Sequence, residues 1–163
     1  MNFVVEVMSY IVVAPWLGLL DTGAVHGMVG LPQFKQYDSE VLKPLGLGCV
    51  KIAAPKSAGG VGGKARVLGA FIVPIGLGGV PGVLAVIIVD GLVPWLLPLG
   101  LLRALKAHIM LDEGIVKYNV EQGAQSVLVH LPSGHDAVDI TEGLSSFKDV
   151  IPESEKSTVR PTT

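Results

Sequence analysis

Between Val67 and Val89 the chain runs for 23 residues without a charged side chain. A run of that length can cross a bilayer as a helix, or it can be hidden as buried strands. Its punctuation separates the two. Gly69, Pro74, Gly76, Gly78, Gly79, Pro81 and Gly82 fall inside it. So many breakers ruin a soluble helix and overload a membrane one. Between them Val, Ile and Phe stand in short blocks, as in strands covered on both faces. The run predicts two strands, Phe71–Ile75 and Val83–Val89, joined by a glycine-rich turn over Gly76–Gly82. A small membrane protein is the competing reading. The first residues do not read as a secretory signal, since no basic stretch opens them and Glu6 interrupts the apolar residues.

The rest of the chain is written in the same style. With 50% hydrophobic residues, 21 Gly and 11 Pro, it favours short strands and tight turns, hence a mainly β fold. One domain is expected over residues 1–144, with its core at 16–118 and an extra C-terminal hairpin at 119–141. From Ser145 to Thr163 the polar composition, with Pro152 and Pro161, predicts a disordered tail or linker. A net charge of −2 leaves no electrostatic footprint for nucleic acid or an acidic membrane. Cys49 stands alone, which excludes an internal disulfide framework and a cysteine-rich metal site. It fits an intracellular, cytoplasmic setting. The four His form no cluster with Cys or Asp, so no metal and no cofactor are expected.

In order, Phe3–Val13 reads as one or two strands, and Trp16–Leu20 as a strand that delivers Asp21. Pro32 suits a first helical turn. Phe34, Tyr37, Val41, Leu42 and Leu45 then repeat as one helical stripe, closed by Pro44 and Gly46. Leu47–Ala54 and Ala65–Leu68 read as two arms of a hairpin whose tip is Lys56–Lys64. A strand ending near Pro98 precedes a helix with the stripe Leu102, Leu105 and Ile109. Ile109–Leu111 and Ile115–Tyr118 flank a turn at Asp112-Glu113-Gly114, and Ser126–Leu131 and Ala137–Ile140 give two last strands.

Three stretches bear on chemistry. Leu19-Leu20-Asp21-Thr22-Gly23-Ala24 puts an acid at the end of an apolar strand, which is costly unless the acid is hydrogen-bonded or used. A strand-ending turn is the plain alternative, since Asp and Gly favour turns. Gly59-Gly60-Val61-Gly62-Gly63 forms a hairpin tip with little side-chain bulk. It lacks the Gly-Lys-Ser/Thr ending of a phosphate loop. Trp95-Leu96-Leu97-Pro98-Leu99-Gly100 is an apolar strand running into a helix.

Together these resemble, in order and kind, the three signatures of the retroviral and retrotransposon aspartic proteases, the retropepsins. The resemblance covers roughly residues 16–118 and departs at Pro98, where the family usually has Gly. It implies a closed or partly open acid-protease barrel with a glycine-rich flap and one or two short helices. It also implies an endopeptidase in which Asp21 is catalytic and Thr22, Gly23 and Ala24 form the active-site loop. Gly59, Gly60, Val61, Gly62 and Gly63 would then cover a peptide or polyprotein substrate. No second Asp-Thr/Ser-Gly occurs, so the implied active form is a homodimer with one Asp21 from each copy. An inactive dimerisation or binding remnant is the alternative. His26 reads as a surface imidazole. Ser133, His135 and Asp139 read as a polar turn, because adjacency in sequence does not make a triad.

Overall fold

The computed structural model describes residues 16–55, 66–119 and 123–150. The strands expected over residues 3–13, the tip with Gly59–Gly63 and the tail beyond residue 150 lie outside this set. In chain order, β1 (Leu17–Asp21), β2 (Gly27–Gly30), helix α1 (Leu31–Tyr37) and β3 (Val50–Ile52) come first. Then follow β4 (Val67–Leu77), β5 (Val80–Val89), β6 (Trp95–Pro98), α2 (Leu99–Ala104), β7 (Ala107–Met110) and β8 (Ile115–Tyr118). Last come β9 (Gln125–Val127), β10 (Val129–His130), β11 (Asp136–Asp139) and the short α3 (Phe147–Val150). The protein is mainly β. Among the described residues one sheet has eight strands in the order β10-β11-β1-β6-β2-β5-β4-β3, and a second has three, β7-β8-β9. Among the described residues the large sheet is open, with β10 and β3 at its edges, and does not take the closed form of the expected barrel.

The uncharged run becomes the β4–β5 hairpin, and among the described residues no helix is long and apolar enough to cross a membrane. The strands are longer than expected and the turn shorter. Leu77 pairs with Val80, which leaves only Gly78-Gly79 in the turn, at φ 61° and 87°. A two-residue turn that matches strand twist needs positive φ at both positions, and glycine adopts it without a Cβ penalty. Pro74 sits mid-strand at no cost to the ladder. The last β3 pair is Val50 with Ile72, and the Pro74 carbonyl accepts the Tyr37 hydroxyl at 2.8 Å on that side. Pro74 therefore replaces an N–H that no strand would have used.

The absence of charge has a simple cause. Val86 and Ile88 enter one core cluster, with Trp95, Leu97 and Val138, while Ile87 and Val89 enter another, with Leu17, Leu19, Met28 and Leu96. Both faces of the central strands are covered, so their sequence does not alternate with polar residues.

The expected helix exists but changes pitch. Beyond α1 it passes through a π-helical turn at Asp38–Leu42 and a 3-10 turn at Lys43–Leu45, and Gly46 ends it at φ 70°. Tyr37 and Leu42 are both fully buried although five residues apart. The wider turn brings them to one face, which a regular α-helix would not do. Burial also pushes the Cys49 thiol behind them up to about 12, with the Asp38 charge adding to the effect.

Several expectations need correction. Of the arm expected at Ala65–Leu68, Val67 and Leu68 open β4, with a bulge between Val67 and Gly69, and β4 does pair with β3 as a hairpin would. Ile109 belongs to β7 rather than to the helical stripe, because α2 ends at Ala104 and Lys106 turns the chain at φ 51°. The strand at Ser126–Leu131 splits at Leu128. Its first half, β9, joins β8, and its second, β10, joins β11. The C-terminal hairpin is no appendage, for β11 pairs along β1. Leu144 and Phe147 are buried in the main core, so folded structure continues past residue 144 to at least the α3 helix.

Candidate active site

Two neighbours define the path of β1. On one side it runs antiparallel to β11, and on the other parallel to β6, with Asp21 opposite Pro98. Gly18 makes the close approach possible, since a Cβ there would stand 2.9 Å from Ile140 Cγ2 and 3.1 Å from Leu97 Cγ. Asp21 is the last residue of β1 and is half-buried, with Thr22 exposed beside it. By strand parity its side chain leaves on the face of Leu17 and Leu19.

A tight turn follows. The Ala24 N–H donates to the Asp21 carbonyl at 3.1 Å, and the Gly23 N–H donates to Asp21 Oδ1 at 3.0 Å. The carboxylate is thus fixed by its own loop, as an Asx turn. Glycine is not demanded here by space within one chain. A Cβ on Gly23 would lie 3.4 Å from Asp21 Oδ1, an ordinary contact. Val25 stands 81% exposed next to this turn, and His26 is exposed as well.

The third signature meets the first. Pro98 ends β6 and precedes α2 with φ −78° and ψ 161°. It is the residue before the helix rather than a member of its first turn. The Leu99 N–H, which opens α2, donates to the Ala24 carbonyl at 3.3 Å. The strand carrying Asp21 and the strand-to-helix junction thereby share one end of the sheet. Sequence spacing placed each motif on the right kind of element but could not show that they touch.

Three other described acids stand elsewhere. Asp38 opens the π-helical turn, and Asp90 lies past the far end of β2, paired with Arg66 at 3.4 Å. Asp139 pairs opposite Leu17, at the other end of β1 from Asp21, and its Oδ1 accepts the Thr141 N–H and hydroxyl at 2.7 and 2.6 Å. Ser133 Oγ and His135 Nδ1 lie 3.1 Å apart in an exposed turn, and Asp139 is committed to Thr141. The polar-turn reading of that stretch stands. Among the described residues no cation pairs with Asp21. The Asp21 carboxylate, half-buried and held by the Gly23 N–H, is able to accept a proton or a hydrogen bond from a water. The pairing of β11 along Leu17–Leu19 of the strand that carries Asp21 was missed from sequence, because nothing in Asp136–Asp139 names its partner strand.

No family model, no curated protein and no solved structure matches the chain.

Proposed function

We propose that this chain is an aspartic endopeptidase of the retropepsin-like kind, in which Asp21 supplies one carboxylate of a dyad completed by a second copy. One observation carries the reading. The acid-bearing strand end and the strand-to-helix junction are in register, Asp21 opposite Pro98, and are tied by Leu99 N–H to Ala24 O. The two motifs that the resemblance pairs by role are thus neighbours in space.

On this reading two Asp21 carboxylates face each other across a two-fold axis. Like charges about 3 Å apart do not both ionise, so one acid stays protonated and the other takes a proton from water. That water attacks the scissile carbonyl, and the protonated acid donates toward the developing oxyanion. Thr22 braces the two loops across the axis. Gly59–Gly63 close over an extended peptide held by backbone hydrogen bonds. The substrate is a peptide or polyprotein, as processed by a retrotransposon-like element. The second reading, a dimerisation module without activity, draws on Pro98, which stands where the resembling enzymes have Gly.

A dilution series tests both. Specific activity on a peptide substrate falls as dimers dissociate, and excess Asp21→Asn chains poison the parent, since each mixed dimer holds one carboxylate and one amide. A sedimentation run alongside identifies the species. A fully active monomer overturns the dyad, and a stable dimer inactive at every concentration favours the module.

A further inference from the structure

Resting on the reading of Asp21 as a catalytic carboxylate, we infer that Pro98 is a positioning residue that holds the Asp21–Ala24 turn against β6. The argument begins with what proline does at this point. Pro98 is at once the last residue of β6, the register partner of Asp21 and the residue preceding α2. Its ring fixes φ, here −78°, and restricts Leu97 before it to extended backbone. Leu97 is fully buried, so the junction is clamped from both sides. Having no N–H, Pro98 cannot extend the ladder as a donor, and the strand stops there.

The next residue uses this fixed geometry. As the first residue of α2, Leu99 has an N–H that the helix itself cannot satisfy. It donates to Ala24 O at 3.3 Å. That distance is at the long end for N–H to O, so the bond survives only while the junction aims it well. Ala24 in turn donates to Asp21 O at 3.1 Å, and Gly23 to Asp21 Oδ1 at 3.0 Å. The chain of contacts runs from Pro98 through Leu99 and Ala24 to the carboxylate. A glycine at 98 would keep the extended backbone accessible but add many other conformations. The Asp21 turn would then lose its hydrogen bond to the β6–α2 junction for part of the time.

The test uses the full chain and the variants Pro98→Gly and Pro98→Ala, with two readouts. The first is amide hydrogen exchange at Leu99, normalised to Val29, which is fully buried in β2 and reports global opening. Leu99 should exchange about tenfold faster in the glycine variant, with alanine between it and the parent. The second is peptide cleavage, where kcat should drop by about tenfold or more with KM within twofold, as loss of orientation predicts. An unchanged Leu99-to-Val29 ratio, or a raised KM with intact kcat, overturns the proposal. A parent inactive at every concentration overturns the protease reading instead, and the exchange ratio still decides whether Pro98 anchors the turn.

Discussion

Asp21 and Pro98 face each other at the ends of two parallel strands, one closing in a turn and the other opening a helix. The acid is therefore mounted on the sheet and not on a free loop. Its strand is held by β6, which reaches Asp21 itself, and by β11, which pairs along Leu17–Leu19, both far along the chain.

Replacing Asp21 by Asn should remove activity without harming the fold. The substitution keeps the side-chain oxygen that accepts the Gly23 N–H at 3.0 Å but no longer serves as acid or base. Cleavage should fall by about 10²–10⁴-fold or more. Thermal unfolding should move by no more than about 1 kcal/mol in stability, because this hydrogen bond is exposed. Cleavage equal to the parent's would remove Asp21 from the chemistry.

Two glycines should respond with opposite signs to alanine. Gly143 has φ 97°, and a Cβ there would strike the backbone of Gly79 in the β4–β5 turn. Left-handed strain and overpacking together should cost about 2–4 kcal/mol. Gly100 lies in α2 with nothing within 4 Å of its Cβ position. There alanine should add about 0.5–1 kcal/mol through lower unfolded-state entropy and better helix propensity. Urea unfolding of both variants checks the pair.

Among the described residues Lys106 is the only non-glycine at positive φ, 51°, where α2 ends. Its N–H donates to Arg103 O at 3.0 Å, which fixes the left-handed turn. Glycine is the residue that such an end favours. Lys106→Gly should stabilise the protein by about 1 kcal/mol, read as a shift in urea midpoint at constant slope.

Partial desolvation of this largely exposed side chain, and then the Asp139 charge, raise the Glu142 carboxyl above its ordinary value of 4.5. The folded chain thus holds this proton more tightly than the unfolded chain does. Below 4.5 both states are protonated and the group is neutral to stability. As pH rises the unfolded state ionises first, and stability falls until the folded carboxyl has also ionised. Glu142→Gln cannot ionise and should lack this loss. Comparing urea unfolding at acid and neutral pH, the variant should gain on the parent as pH rises. A parallel pair of pH curves would show that Glu142 is not strained.

What the sequence by itself determined was local. Breakers inside an uncharged run dictated strands, the glycines of Gly76–Gly82 marked a hairpin turn though not its two-residue length, Pro32 and Gly46 bracketed the helix, and Leu19-Leu20-Asp21 placed an acid at a strand end. These follow from backbone sterics and from apolar spacing, which act within a few residues. Tertiary structure decided the partners. That β1 runs between β6 and β11, that residues 126–131 divide between two sheets, and that Leu99 reaches Ala24 all depend on distant segments. Closing a longer loop costs only slightly more entropy than closing a shorter one, so local sequence does not rank such pairings. Burial of both sheet faces decides among them, and it exists only once the whole core is assembled. The π-helical turn has the same origin: Tyr37 and Leu42 are both needed inside, and the helix widens to deliver them.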